Sequence, residues 1–378
     1  MANLKVDTIS GIGTEGPVLN GGLHFRSKNY LTLPKGTTTE RIATSSGIST
    51  VIGAIRYNTD SNKMECYVNN KWMIVSTSSP NLDGGGRGLA AGGNDPATID
   101  VIEYITISTA GNSIDFGNLT AATQDKPGGT GSSTRGVVGG GKRPPSTTNV
   151  IDFITFSSTG NASDYGDLSV ARRQTATTGN QTRGIFCGGE VAPTHTNVID
   201  FITIAQTGNA LDFGDVSVAR RVAGAASSPT RGLVFGGYAS PAALNTIDFV
   251  IMSTLGNAQD FGDISVARYA LQAVSSRTRA LVMAGYIPSP AAKVNTIEHV
   301  TIATEGNAMD FGDLTETVYA IQAVSNSIRG VRMGGAESPG DNTMDFVNIS
   351  TLGDAVDFGD LLTRHQEGAG LSNAHGGL

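Results

Sequence analysis

The segment Thr182–Arg220, TRGIFCGGEVAPTHTNVIDFITIAQTGNALDFGDVSVAR, is one copy of a unit that recurs from about residue 86 onward. Its clearest marker is an Asp-aromatic-Gly triad. The triads are Asp115-Phe116-Gly117, Asp164-Tyr165-Gly166, Asp212-Phe213-Gly214, Asp260-Phe261-Gly262, Asp310-Phe311-Gly312 and Asp357-Phe358-Gly359. Their glycines stand 49, 48, 48, 50 and 47 residues apart. A repeat of this length signals a solenoid, a propeller or an array, because a single unit cannot bury its apolar face alone.

The copy divides into four strand-length pieces: Arg173–Gly179, Arg183–Gly189, Val198–Ile204, and Ala210–Phe213 running on toward Val218. Turn residues separate them, among them Gly179-Asn180 and Thr207-Gly208-Asn209. Four antiparallel strands in such a span make a propeller blade. In the third strand Ile199 and Phe201 alternate with Ile202 and Ile204, so both faces are apolar, as a sheet packed on both sides requires. The array opens at Arg87 with a second strand and has no first strand before it. A first strand near His365–Ser372 completes the count. The expected fold is all-β: a six-bladed propeller closed by its own C-terminal strand. Gly376-Gly377 reads as the degenerate start of a seventh copy, left as a tail.

In front of the array, residues 1–80 share nothing with the repeat, and 81–86 read as a linker after the polar run Ser76–Pro80. The array proper is 87–378. Within the front module, Gly53–Asn58, Met64–Val68 and Lys71–Val75 read as a three-stranded meander. Ile55, Tyr57, Met64, Cys66, Val68, Trp72 and Ile74 are its candidate apolar face. So little apolar content makes the module marginal alone, which points to oligomerisation or docking for its stability.

The chain of 378 residues has 50 glycines, set by the repeat rather than clustered, and 39% apolar residues. Its net charge of −7 is spread without a basic block, which speaks against nucleic acid or an anionic membrane as partner. Cys66 and Cys187 fall in unrelated segments, so neither a disulfide nor a zinc site is expected. The opening MANLKVDTIS lacks the apolar core of a signal peptide, and no segment is long and apolar enough to span a bilayer, so a soluble protein is expected.

Two resemblances attach to these residues. Gly188-Gly189, Asp200 and Arg220 occupy places that resemble those of the kelch propeller, although kelch blades usually carry a Trp where this chain has Phe or Tyr, and Trp72 lies outside the array. Leu33–Arg41, Gly53–Asp60 and Glu65–Trp72 together look like a segment common in bacteriophage tail-fibre and related virion proteins. That resemblance implies a virion appendage whose N-terminal part attaches to other virion proteins, often as a trimer.

Recurrence within the chain sorts framework from candidate site. An Arg opens the second strand in every copy (Arg87, Arg135, Arg183, Arg231, Arg279, Arg329), and an acid sits in every third strand (Glu103, Asp152, Asp200, Asp248, Glu298, Asp345). A half-buried acid needs a donor. The expectation is one structural pair per blade: Arg135 with Asp152, Arg183 with Asp200, Arg231 with Asp248. The Asp-x-Gly-Asp run, as in Asp212–Asp215, invites calcium but lacks the density of oxygen ligands that calcium takes. No metal or cofactor is expected.

The loop after the double glycine differs in every copy. It offers Lys142, Arg143, His195, Tyr238, Tyr286 and Lys293 as handles on one face of a rigid scaffold. These loops read either as a binding face or as unselected drift. Catalysis is not expected: the five histidines form no ligand-spaced cluster and no Gly-x-Ser-x-Gly elbow occurs. The leading reading is a phage tail-fibre or appendage adhesin, located on the virion and assembled in the host cytoplasm. Its propeller would bind a host surface glycan or envelope protein. A decoration or assembly role among virion proteins, and a cellular kelch-like scaffold, are the alternatives.

Overall fold

The computed structural model describes residues 33–41, 54–61, 63–68, 71–74, 86–336 and 341–378. The chain divides into unit 1, Met1–Ser79, and unit 2, Pro80–Leu378. The expected linker at 81–86 lies, apart from Gly86, outside the described residues. The described residues form strands, turns and loops with no helix, so the fold is all-β.

The described residues of unit 1 form a four-stranded sheet. Ile55–Asn58, Lys63–Val68 and Lys71–Ile74 form the expected antiparallel meander, and the short strand Lys35–Gly36 adds in parallel beside Ile55–Asn58. Its covered face is polar. Arg56, Asn58 and Glu65 are buried there with Tyr67, while Glu65 pairs with Arg41 and accepts from Asn58 Nδ2 at 2.9 Å. Trp72 stands opposite Tyr67 on this face, 5.4 Å ring to ring, and not with Ile55 and Cys66 as the sequence suggested. Directly opposed residues share a face, and Cys66 opposes Met73.

Among the described residues of unit 2 are six larger sheets, each with its four principal strands in the same antiparallel order. In the third they are Ala176–Gly179, Arg183–Cys187, Val198–Thr203 and Leu211–Asp215. In the first sheet the inner strand is Ala369–Ser372, from the far end of the chain, paired with Arg87–Asp95 from Ala369↔Ala91 to Ser372↔Gly88. Six apolar clusters hold the sheets together, each filled by two neighbours. One joins the sixth sheet to the first through Ala90, Ile105, Val331 and Met344. Ile199 and Ile202 are both buried although they leave opposite faces of one strand, the double burial that the sequence pattern demanded.

The recurring Arg and acid do not pair with each other, which corrects the expected couples. Arg183 lies opposite Thr203, and Asp200 opposite Phe186. Phe186 stands three positions after Arg183, an odd offset, so the two side chains leave opposite faces of the sheet. The same register separates Arg135 from Asp152 and Arg231 from Asp248. Each of these arginines instead lies over the aromatic ring of its own third strand: Arg183 over Phe201 at 5.0 Å, Arg135 over Phe153 at 4.5 Å, Arg231 over Phe249 at 4.6 Å. Each then donates to a carbonyl of the following sheet, Arg135 to Ile204, Arg183 to Met252, Arg231 to Ile302, and Arg329 of the sixth sheet to Ile107 of the first.

The acids are held by the segment that crosses from one sheet to the next. Asp200 accepts from Ser169 N at 3.0 Å and pairs with Arg172 at 3.0 Å, both groups fully buried. Asp248 uses Ser217 and Arg220, and Glu298 uses Ser265 and Arg268. Where the crossing lacks that Arg, a cation arrives from elsewhere. Arg143 reaches Asp152 at 2.8 Å from a loop, and Arg332 reaches Asp345 at 3.2 Å from a strand. Glu103 has His365, whose Nε2 lies 3.4 Å from its carboxylate.

The triad glycines are steric requirements. Gly214 has φ +147°, and a Cβ on it would stand 2.5 Å from the backbone of Gly256 in the next sheet, which donates its N–H to Phe213 O. Gly359 meets Gly111 of the first sheet in the same way. The C-terminal tail also departs from expectation. It is no loose seventh start: Gly376 and Gly377 are buried, and a Cβ on Gly377 would stand 2.0 Å from Gly179 O. His375 Nε2 lies 2.7 Å from Gly131 O, its Nδ1 accepts from Gly377 N at 3.2 Å, and burial pushes the His375 pKa down against the opposing bond to Gly131.

Candidate binding face

The described part of unit 2 begins at Gly86, and Arg87 N donates to Asn373 Oδ1 at 2.7 Å. The varied loops stand at the other end of the same strands. Four of them form short hairpins or strand extensions: Lys142–Arg143 with Ser146–Thr147, Glu190–Val191 with Thr194–His195, Tyr238–Ala239 with Ala242–Ala243, and Tyr286–Pro288 with the start of Ala291–Thr301. Residues 337–340 of the sixth loop lie outside the described residues.

Beneath these hairpins the crossing segments converge. Asp125, Lys126, Gln174, Val222, Ala270, Ala320 and Glu367 all adopt left-handed backbone, φ between 48° and 61°. Such a conformation costs a β-branched residue like Val222 on the order of 1–2 kcal/mol. The hydrogen bonds that require it run from crossing to crossing. Gln174 N donates to Asp125 O, Val222 N to Gln174 O, Ala270 N to Val222 O, Ala320 N to Ala270 O, Glu367 N to Ala320 O, and Lys126 N to Glu367 O. Lys126 extends inward from this belt and donates through Nζ to Ala223 O at 2.9 Å and Leu271 O at 2.8 Å. Full burial pushes its pKa down to about 7.

The residue before each left-handed position bridges to the first residue of a hairpin: Arg173 with Glu190, Arg221 with Tyr238, Tyr269 with Tyr286. Their side chains divide the face in two. On one side runs a row of aromatic rings. Tyr238 and Tyr269 are 5.4 Å apart, Tyr269 and Tyr286 5.5 Å, Tyr286 and Tyr319 5.5 Å, and His195 adjoins Tyr238 at 5.9 Å. Arg221 lies over Tyr238 and Lys293 over Tyr319. All four tyrosines are half-buried, so each leaves part of its ring toward solvent. Burial, then the neighbouring Tyr286, raises the Tyr269 pKa, while burial and Arg221 lower that of His195.

The other side is ionic. Arg173 bridges Asp125 at 2.5 Å and Glu190 at 2.6 Å, and Arg221 meets Glu190 at 2.8 Å and Gln174 Oε1 at 2.7 Å. Burial pushes the Glu190 pKa up, but its bond from Arg173 and the charges of Arg173 and Arg221 hold it below the usual range. Burial and the adjacent Asp125 raise that of Glu367.

Of the six handles read from the sequence, His195, Tyr238, Tyr286 and Lys293 come together in the aromatic row. Lys142 belongs to the second-sheet hairpin, bridged to Gln124. Arg143 is not a handle: it turns inward to complete the ion pair with Asp152. Glu190 opens the varied loop of its copy, whereas Tyr269, Tyr319, Arg173 and Arg221 were not among the handles read from the sequence. A second varying position, the one that reads Gln124, Arg173, Arg221, Tyr269, Tyr319 and Gln366 from copy to copy, was the available signal. Among the described residues no group of three or more His, Cys, Asp and Glu is placed to hold a metal ion. No known protein family and no curated protein matches the chain.

Proposed function

We propose that unit 2 is a six-bladed kelch-like β-propeller, and that the chain is a structural protein of a bacteriophage particle. Unit 1 attaches it to other virion proteins, as a homotrimer, and the propeller binds a host-surface glycan or envelope protein without catalysis. The single observation that carries this reading is polarity within unit 2. Arg87, near the first described residue of unit 2, stands beside Asn373, and the varied hairpins with the tyrosine row stand at the opposite ends of the same strands. A module held from one end and varied at the other suits display. The propeller reading is supported by the clusters between successive sheets and by the pairing of Ala369–Ser372 with Arg87–Asp95. Half-exposed tyrosines flanked by Arg221 and Lys293 are residue types favoured in recognition surfaces.

Cryo-electron microscopy of intact particles tests the location, and absence of the protein from virions overturns the reading. On particles carrying it, Tyr269→Ala with Tyr286→Ala should lower adsorption at least tenfold with assembly unchanged. Unchanged adsorption together with defective assembly would favour a decoration role instead.

A further inference from the structure

The inner strands of unit 2 turn part of their backbone away from the strands they pair with. In the third sheet Asn180 N donates to Arg183 O at the turn, so the ladder bonds to Arg183–Cys187 fall on Thr178 and Ala176. Thr177 and Gly179 therefore point their N–H and C=O groups the other way. The same turn bond runs from Ser132 to Arg135, Ser228 to Arg231, Ser276 to Arg279, Asn326 to Arg329 and Asn373 to Arg87. All six inner strands thus have the same phase. Each turns two such residues into one shared cavity, which is lined by all six strands and by His375.

The tier nearer the turns is met by side chains. Ser227 Oγ donates to Gly179 O, Ser275 Oγ to Ser227 O and Ser372 Oγ to Ser325 O, each at 2.7 Å. Ser325 Oγ donates to Ser275 O at 3.0 Å, and His375 Nε2 lies 2.7 Å from Gly131 O. Toward the hairpins the Lys126 ammonium takes Ala223 O and Leu271 O. Between these two levels stands a second tier: Gly129, Thr177, Ala225, Ala273, Ala323 and Gly370. Of its inward groups, Ala273 N alone has a partner among the described residues, Gln272 Oε1 at 3.2 Å. The three alanines are buried and the other three residues half-buried. Covered backbone groups of this kind are met by water where protein does not reach them. The cavity has a volume of about 50 Å³.

We propose that this cavity is a water site, in which a short column of ordered molecules bridges the second-tier backbone groups of the six inner strands. One water needs about 10–15 Å³ of such space, so about three fit. Charge decides against an ion. Inward N–H and C=O groups alternate along every strand, so the walls favour neither sign, and the Lys126 ammonium at one end repels a cation. What the walls call for is a small neutral molecule that donates and accepts at once. Inner strands of neighbouring sheets, which share no backbone ladder, are then joined through the column.

A high-resolution crystal structure of the full chain carries the test, with a second crystal form or soak in rubidium bromide. It needs neither particle nor host. At least two water positions should appear in the cavity, each within about 2.7–3.2 Å of backbone groups from two different inner strands. They should persist in rubidium bromide without an anomalous signal. A cavity without density overturns the proposal. So does an anomalous peak from rubidium or bromide inside it, which would make it an ion site, or water that touches one strand alone.

Discussion

Arg172 is fully buried beside Asp200, whereas Arg183 lies half-buried over Phe201 with one N–H on Met252 O. Removing a buried cation leaves its carboxylate desolvated without compensation, at a cost of about 3–5 kcal/mol. Removing a partly exposed cation over a ring loses about 1–2 kcal/mol. We therefore expect Arg172→Met to lower the urea midpoint at least twice as far as Arg183→Met, and equal losses would refute the assignment of Asp200 to Arg172. The recurring arginine was visible in the sequence, and its partner was not. Two residues that recur in step invite pairing, but only the register shows that Arg183 and Asp200 leave opposite faces. Arg143 teaches the same point from the other side. The crossing before the second sheet has Thr123 where the third has Arg172, so the site calls for a guanidinium from whichever backbone position can reach Asp152.

At the scale of elements, the outermost strand of each sheet has no strand beyond it, and the turn of the next sheet covers it only in part, Gly256 N donating to Phe213 O and Ala258 N to Asp215 O; the exposed remainder is a template for association with other edges. Asp115, Asp164, Asp212, Asp260, Asp310 and Asp357 all lie exposed on these edges. This accounts for the first Asp of the triad without a metal, as a charge that keeps edges apart. Replacing Asp164, Asp212 and Asp260 together by Val should leave the melting temperature nearly unchanged and produce concentration-dependent aggregation. Light scattering that stays at the wild-type level would refute this role. Elements were legible where the period was strong, as in Val198–Thr203 and Leu211–Asp215. The inner strand was not. Arg173–Gly179 was read as one strand, but pairing begins at Ala176, and Arg173–Thr175 instead forms the crossing beneath the hairpins. Tyr269 and Tyr319, which hold the position of Arg173 in later copies, belong to the crossings in the same way.

Across the whole of unit 2, Lys126 joins crossings far apart in the chain by donating to Ala223 O and Leu271 O. Its pKa falls from 10.5 to about 7 on burial, so the unfolded chain holds the proton over a pH range where the folded one has lost it. A lowered folded pKa means stability present above the unfolded value and lost as pH falls through the folded one. Unit 2 should thus gain stability, on the order of a few kcal/mol, between about pH 7 and pH 10. In Lys126→Met that gain should disappear from melting curves taken across the range, and its persistence would refute the role. The pairing of Arg87–Asp95 with Ala369–Ser372 bears on a quantity of another kind, mechanical load. A tension passed along the chain through Gly86 pulls on a strand flanked on both sides, by Ala369–Ser372 and by Ala97–Thr106. Such a strand cannot peel away one bond at a time. Both ladders must break before that strand comes free.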